Sequence, residues 1–446
     1  MEEKIFINAY AKINLLLDVL RRREDGYHEL DGIMQSVSVC DELALSPAEG
    51  IEVVSSEPLP YNNTCRRAAE AFLKESGRGV RIEIEKRIPS EAGMGGASAD
   101  AAAVLRGLSA LYPELAVPED ELYKLGLSVG ADVPFCIMGG CARARGVGER
   151  LTALPALRLP LVIVRGGRGV STGRLFSSLG IGCEESSRLP EGAIKKALSA
   201  LEKGDMNELA GCVSNALFEP ACGEAPEIAE YRVRLVAAGA LGASMTGSGA
   251  AVFGIFAGED EARAALSRFA DCDFASFAEA LPSPAAAVIR FRRASAEDAP
   301  LTAELRRRAW LTTYRGIYPD ELLDGFDTAA RAERDRNMLV SPDITGFIIE
   351  ADGTPCGFML LQDDGGLNLR ALYLLKEHRG KGIGRYAFRV IRGIARERGY
   401  SKFACNCNSH NSPALAFYKS MGGRAISRSE GHENPREDQI ALEFEA

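Results

Sequence analysis

The sequence predicts an α+β protein of more than one domain: a unit of two subdomains over the first two thirds, then a separate α/β domain. Three observations predict it. At 446 residues the chain is about three times the roughly 150 residues typical of one domain. Short apolar runs of strand character interleave with longer helical patterns along the whole chain. The segment LPSPAAAV, Leu281 to Val288, interrupts them with prolines and small residues. The expected limits are 1–158 and 159–282 for the subdomains, 283–288 for a linker and 289–446 for the last domain.

Composition narrows the function classes. With 46% hydrophobic and 26% charged residues the chain reads as an ordinary globular protein rather than collagen, coiled coil or extended disorder. A net charge of -9 argues against general nucleic-acid binding. The 11 cysteines lack a disulfide-framework spacing, so reduced thiols in a cytoplasm are expected. The start MEEKIFINAY has no signal-peptide pattern, and no apolar run reaches the roughly 18 residues a membrane span needs. No membrane partner is expected.

Lys4 to Val19, KIFINAYAKINLLLDV, reads as a strand that Lys12 and Asn14 interrupt. Either this is an edge strand with a solvated lysine or a cation is aimed into a site. Asp25-Gly26 makes a turn that sets Tyr27 and His28 on a loop exit, where they either pack or stack on a planar base. Strands IMQSVSV, ELALS, IEVVS and VRIEIEKRI then surround a helix starting near Asn63.

These lead into the stretch on which the unit is organised, Pro89, Ser90, Glu91, Ala92, Gly93, Met94, Gly95, Gly96, Ala97, Ser98 and Ala99, ahead of the helical run AAAVLRGLSALY. Glycines that tolerate positive φ, followed by a helix N-terminus with unpaired N–H groups, form an anion cradle, and phosphate is the obvious guest. The loop is neither a Walker A sequence nor a dinucleotide fingerprint. The bland alternative is a tight strand-to-helix turn. Further on, Gly130 to Pro134 sets Asp132 on a turn before a strand-like FCIM, where it either closes the turn or receives a proton. PLVIVRGGRGVSTGRLF is a strand followed by a loop with Thr172 and Phe176, and Thr246 to Gly249, TGSG, is a small-residue turn entering the strand VFGIF.

In this order the segments resemble the GHMP kinases over roughly Met1 to Leu281. AKINLLLDVLRRREDGYHEL, GADVPF and VSTGRLF are similar to the branch whose substrate is a cytidine-diphosphate-linked sugar alcohol of non-mevalonate isoprenoid synthesis. The resemblance implies a two-subdomain kinase fold with ATP and Mg2+ as cofactors. It implies that Lys12 and Asp132 are the catalytic pair, that Pro89 to Ala99 wraps the ATP phosphates, and that Tyr27, His28 and Phe176 grip the cytosine, with Asn14 and Thr172 nearby. Such an Asp would take the proton of the alcohol while the Lys offsets charge on the transferred group. The metal ligands are unassigned, with Ser98 a candidate. Ala97 stands where the family loop carries glycine, so a positive φ there would carry a strain of about 1 kcal/mol.

In the last third VIRFRRAS is a strand, Ala296-Glu297-Asp298 opens a helix carrying Trp310, and FIIEADGTPCGFMLL is a hairpin turning at Asp352-Gly353. After the strand LNLRALYLL, HRGKGIGR leads into a helix as a second candidate cradle. Asn411 starts a later helix and Tyr418 lies two turns along the same face. Cys405, Cys407 and His410 lack a fourth zinc ligand. The combination resembles the Gcn5-related N-acetyltransferases (GNAT), implying an α/β domain with a mixed central sheet and acetyl-CoA as cofactor. It implies pyrophosphate binding by Arg379, Gly380, Lys381, Gly382, Ile383 and Gly384, a pantetheine contact from Asn411, and Tyr418 protonating the departing thiolate. The acceptor is a peptide or small amine that the sequence does not name, and no general base is evident, Glu350 being the nearest acid in the hairpin. The rival expectation pairs a kinase for another small alcohol, such as homoserine, with a C-terminal module that only binds acetyl-CoA or mediates association.

Overall fold

The computed structural model describes residues 4–282, 287–432 and 434–446. The chain divides into two compact units, Met1–Ala287 and Val288–Ala446. Of the expected linker, residues 283–286 lie outside the described residues.

The first unit begins with β1 (Ile5–Arg22), β2 (His28–Ala48), β3 (Ile51–Ser55), α1 (Thr64–Leu73), β4 (Gly79–Glu85) and α2 (Gly96–Leu111). It continues with α3 (Glu119–Val129), α4 (Val133–Met138), β5 (Cys141–Gly146), β6 (Arg150–Leu154) and β7 (Pro160–Arg165). Then come α5 (Thr172–Ser178), α6 (Ala193–Lys203), α7 (Met206–Cys212), β8 (Ser214–Asn215), α8 (Phe218–Glu224) and α9 (Glu227–Ala237). It closes with β9 (Gly242–Met245), β10 (Val252–Ile255), α10 (Glu259–Leu266) and β11 (Phe274–Glu279).

β1 runs antiparallel to β2 from Ile5↔Leu45 to Arg22↔His28, with register shifts at Tyr10/Lys12, Asn14/Leu16 and Val19/Arg21. Irregularities of this kind re-aim side chains, and two of them bracket Lys12 and Asn14. β4 and β5 both pair with β2, β3 lies parallel to β4, and β8 adds a short parallel pairing to β1. A second, antiparallel sheet has the order β11-β7-β10-β9. Its core joins Val162, Val164, Leu175, Leu217 and Phe256 to Leu17 and Val19 of β1, so the two parts of the unit share apolar packing. α2 lies close on the first sheet because its buried face is built from Ala99, Ala101, Ala102 and Ala103, and a Cβ at Gly107 would stand 2.9 Å from the Leu45 side chain.

Two local expectations need correction. IMQSVSV and ELALS are parts of one strand, β2, rather than two. The polar residue between them, Asp41, is buried and accepts from the Ile88 amide, and Gln35 within the first run donates to the carbonyls of Ser36, Gly140 and Leu281. The strand-like FCIM is helical, within α4. Pro134 in the first turn suits a helix start, where its missing N–H costs nothing, and four apolar residues carry no period that separates strand from helix.

The second unit contains β12 (Ile289–Arg293), α11 (Ala299–Thr313), α12 (Asp320–Asp324), α13 (Thr328–Leu339), β13 (Ile344–Ala351) and β14 (Thr354–Asp363). After these come β15 (Leu367–Leu374), α14 (Ile383–Glu397), β16 (Lys402–Asn408), α15 (Ser412–Ser420), β17 (Arg424–Ser429) and β18 (Gln439–Glu445). The sheet order is β12-β13-β14-β15-β16-β18-β17, and it is mixed because only β15 and β16 pair in parallel. That pairing covers Leu367↔Phe403 to Leu369↔Cys405, although the strands run on to Leu374 and Asn408. A gap therefore opens in the middle of the sheet. Among the described residues no helix is long and apolar enough to cross a membrane.

Candidate functional site

In the first unit a cleft of about 770 Å³ is lined by Lys12, Asn14, Tyr27, His28, Asp132, Thr172 and Phe176, together with Gly93, Gly95 and Ser98 of the glycine loop. The other loop positions are not part of the lining: Ala92, Met94 and Ala99 are buried, Pro89 and Gly96 half-buried, and Ser90, Glu91 and Ala97 exposed. Lys12 and Asn14 are two apart on β1 and share a face, so the buried Lys12 Nζ donates to Asn14 Oδ1 at 2.7 Å. Asp132 faces the same ammonium across 3.5 Å. Its side chain keeps 30% exposure against 5% for Lys12, so the acid opens to the cleft while the cation is held from behind.

The loop is shaped by what cannot fit beside it. Gly93 and Gly95 have φ of 70° and 69°, and Gly95 caps α2 in the left-handed conformation. A Cβ at Gly93 would come 2.1 Å from the Thr246 carbonyl oxygen, and one at Gly95 would meet the Lys12 side chain at 3.0 Å. Only glycine permits this approach. The TGSG turn is the backing surface: Thr246 Oγ1 donates to Gly93 O at 3.2 Å and accepts from the Asn14 amide at 3.0 Å. Ser248 Oγ lies 2.7 Å from Thr172 Oγ1. Ala97 belongs to α2 and has no positive φ; the residue of the loop that takes the strained angle is Glu91, at 53°. The strain anticipated at Ala97 is therefore absent.

In the same lining His28 packs on Phe176, ring centroids 4.9 Å apart, and Tyr27 is 64% exposed. Burial and the charge of Arg22 push the His28 imidazole below its ordinary value, so the ring is neutral at pH 7.

Three groups escaped the sequence reading. Asn215 donates to the carbonyls of Met245 and Gly247 at 2.9 and 2.8 Å and so fixes the TGSG turn. Arg22 joins the cleft lining. Under the glycine loop, buried Lys86 bridges Asp41 and Asp100, the latter at 2.7 Å. One ammonium cannot balance two buried carboxylates. Asp100, whose Oδ1 has no hydrogen-bond partner, is pushed up to about 8 by burial and then by the charge of Asp41, against the pull of Lys86. An acid at the head of an alanine-rich helix was the available signal for this cluster; Asn215 gave none.

In the second unit Gly380 and Gly382 have φ of 75° and 84°, and Gly382 caps α14. Ile383 is buried, Lys381 is exposed, and a Cβ at Gly384 would strike the Phe417 ring at 2.8 Å. Arg379 donates to Leu374 O at 2.9 Å and Thr313 Oγ1 at 2.8 Å. Asn411 caps α15 by accepting from the Ala414 amide. Tyr418 packs against Phe388, Phe417 and Phe444, and burial pushes its phenol well up, so it stays protonated. Glu350 is a strand residue paired to Arg292 at 3.0 Å rather than a free loop acid.

The family model of the GHMP kinases N terminal domain matches residues 63–140, and that of the GHMP kinases C terminal domain matches residues 197–273. A 4-diphosphocytidyl-2-C-methyl-D-erythritol kinase of Citrifermentans bemidjiense is 41% identical over 276 residues, 60% of this chain and 95% of that protein. The chain belongs to the 4-diphosphocytidyl-2-C-methyl-D-erythritol kinase family. Another member, from Moorella thermoacetica, is 42% identical over 58% of this chain and 93% of its own. The crystal structure of a 4-(cytidine 5'-diphospho)-2C-methyl-D-erythritol kinase aligns with a TM-score of 0.53 at 39% identity, covering 61% of this chain and 98% of that one. Homoserine kinase from Cytophaga hutchinsonii shares the fold, with a TM-score of 0.50 at 18% identity over 64% of this chain and 98% of its own. The kinase family accounts for the first unit; the acetyltransferase (GNAT) family model matches residues 307–422 of the second.

Two outcomes follow from this geometry. Gly93→Ala forces a methyl into the Thr246 carbonyl at a positive φ, and ATP affinity is expected to fall at least about tenfold in a titration of the purified protein; unaltered affinity would remove the loop from the nucleotide site. The folded chain keeps the Asp100 proton up to about pH 8, whereas the unfolded chain gives it up near pH 4. Stability from this proton is thus complete below about pH 4 and drains away as pH rises toward 8. Asp100→Asn should flatten the fall in melting temperature between about pH 5 and pH 8, and a slope equal to the parent's would refute the buried proton.

Proposed function

We propose that the first unit transfers the γ-phosphoryl group of ATP to the 2-hydroxyl of 4-diphosphocytidyl-2-C-methyl-D-erythritol, in non-mevalonate isoprenoid precursor synthesis. We propose further that the second unit transfers acetyl from acetyl-CoA to an amine. The observation that carries the kinase reading is the 3.5 Å Lys12–Asp132 pair at the glycine loop, in the same cleft as the His28–Phe176 rings.

An alcohol is a poor nucleophile at neutral pH, so its proton must leave as the new P–O bond forms. The Asp132 carboxylate accepts that proton, and Lys12, 3.5 Å away, orients the acid and offsets charge on the moving phosphoryl group. Amides at the α2 N-terminus bind the phosphate oxygens. Among the described residues no cluster of three acids, histidines or cysteines could hold a metal ion, and Asp132 is the one acid of the cleft lining. This donor set fits a magnesium ion that would bring most of its ligands as phosphate and water, with the Ser98 hydroxyl the candidate side chain to complete them. When bound, magnesium neutralises phosphate charge. Tyr27, His28 and Phe176 receive the cytosine, each stacking contact contributing about 1–3 kcal/mol, while Asn14 and Thr172 position the rest of the substrate.

In the second unit the amides from Arg379 to Gly384 receive the acetyl-CoA pyrophosphate, Asn411 contacts the pantetheine, and Tyr418 protonates the leaving thiolate. Family membership and the matched acetyltransferase segment support both readings.

Steady-state kinetics with the cytidylated substrate test the kinase reading. Asp132→Asn should lower kcat about 100-fold or more with little change in the KM for ATP, and CMP should compete with the alcohol substrate. Undiminished turnover of the variant would remove the base, and indifference to CMP together with turnover of homoserine would point to another alcohol.

A further inference from the structure

The acetyl-transfer reading leaves one role unfilled. An amine reaches the enzyme protonated, and an ammonium has no lone pair with which to attack a thioester. Glu350 is tied to Arg292, so the proton needs another acceptor.

The second unit holds a cluster that no matched segment explains. The chain has 4 histidines, and two of them converge on one buried acid: His410 Nε2 and His432 Nδ1 each lie 2.8 Å from a carboxylate oxygen of Asp438, which is 4% exposed. The cluster is built into its surroundings. The Ser409 amide donates to Asp438 O at 3.1 Å, and the Asn408 side chain donates to Pro435 O at 2.7 Å. These bonds pin the segment before β18 to the turn between β16 and α15. That turn lies at the open end of the β15–β16 gap and runs directly into Asn411, the expected pantetheine contact. On the other side Arg436 covers the Trp310 ring at 5.6 Å, and Trp310 packs edge-on against the stacked Tyr314 and Tyr318. The cluster therefore stands between the open end of the gap and the packed aromatic residues of α11 and the turn after it.

Hydrogen-bond logic separates the two histidines. The contacts of His410 and His432 hold the Asp438 carboxyl far below its usual range, so it is ionised and can only accept. Both ring nitrogens facing it must carry hydrogen. In His432 the remaining nitrogen, Nε2, is engaged by Ser429 Oγ at 3.3 Å. In His410 the remaining nitrogen is Nδ1, with no partner among the described residues, on a side chain that is 50% exposed; in the neutral ring that nitrogen carries the lone pair.

We propose that His410, oriented by Asp438 with His432 as its counterpart, is the proton acceptor for the amine in the acetyl transfer proposed above. His410 Nδ1 takes one proton from the ammonium. The freed nitrogen pair attacks the thioester carbonyl, a C–N bond forms, and collapse of the tetrahedral adduct breaks the C–S bond. Tyr418 gives its proton to the thiolate and is reprotonated by the second amine proton through solvent; the proton on His410 is released to water, leaving amide and CoA thiol. Asp438 fixes the tautomer and ring orientation without itself becoming protonated, the part an acid plays behind a catalytic histidine.

The test uses the full chain with acetyl-CoA and three amine probes, spermidine, 2-phenylethylamine and a lysine-containing peptide, following release of CoA thiol. His410→Ala is expected to lower kcat at least about 100-fold while leaving the KM for acetyl-CoA and the kinase activity of the first unit unchanged. Added imidazole, filling the vacated space, should restore part of the rate. Turnover equal to the parent's would overturn the base while leaving acetyl transfer standing. A loss that imidazole does not relieve, or that appears as a raised KM for acetyl-CoA, would make the cluster a structural clasp. A parent chain that binds acetyl-CoA yet releases no thiol with any of the amines would overturn both the base and the transferase reading.

Discussion

The first unit depends on two turns that touch backbone to backbone. A Cβ at Gly93 would lie 2.1 Å from Thr246 O, and one at Gly247 would lie 2.6 Å from Gly93 O, so neither turn can carry a side chain without separating the pair. Thr246 sits in the seam and holds a third element, since its hydroxyl also accepts from the Asn14 amide of β1. The phosphate loop, the strand bearing Lys12 and the turn beside Thr172 are thereby fixed relative to one another by backbone contact. Backbone is the stiffest reference available, and a phosphoryl transfer that relies on alignment needs such a reference.

Two ammonium groups near this seam meet acids in opposite ways. Lys12 is buried but its acid is 30% exposed, which leaves the carboxylate reachable by a substrate hydroxyl. Lys86 and its two acids are all nearly closed off from solvent. Burying three ionisable groups together costs desolvation that Coulomb attraction alone does not reliably offset, and here Asp41 is further satisfied by the Arg87 and Ile88 amides. Those amides lie immediately before the glycine loop. The buried cluster thus holds the entry of the loop on one side and the first turns of α2, through Asp100, on the other.

What was legible in the sequence was whatever the local backbone enforces. Positive-φ glycines ahead of an alanine-rich helix, the Asp352-Gly353 hairpin and the Asn411 cap each follow from neighbouring residues alone, and so did the cradle they imply. The cleft was legible only through resemblance, because Lys12, Asp132 and Phe176 lie far apart in sequence and no period or spacing joins them. A polar residue inside a strand misled: Asp41 stood at the break expected in β2, yet it is buried with a partner from a remote segment. The FCIM run misled for a different reason, since four apolar residues fit a strand or a helix turn and the proline decided between them. Asp438 and its histidines were illegible because the bonds that make them a cluster span the β16–α15 turn and the segment before β18.

Both units build the same local device ahead of a helix, and the reactions proposed for them diverge in chemistry. Gly95 and Gly382 cap α2 and α14 at nearly equal φ, 69° and 84°, so each helix presents its unpaired amides and positive dipole end to a phosphate. The side chains beside the cradles differ in purpose. Gly95 approaches Lys12, whose ammonium faces Asp132, so the phosphate binding and proton acceptance proposed above share one place. Arg379, by contrast, is committed to Leu374 O and the threonines of α11, so in the proposed reading pyrophosphate binding falls to the amides and the proton chemistry to other residues. This division follows from the reactions proposed: a kinase breaks a bond to the phosphate it holds, whereas an acetyltransferase holds the pyrophosphate as a handle and reacts at the far end of its cofactor. The base proposed for the amine, His410, accordingly belongs to the turn after β16 and not to the head of α14.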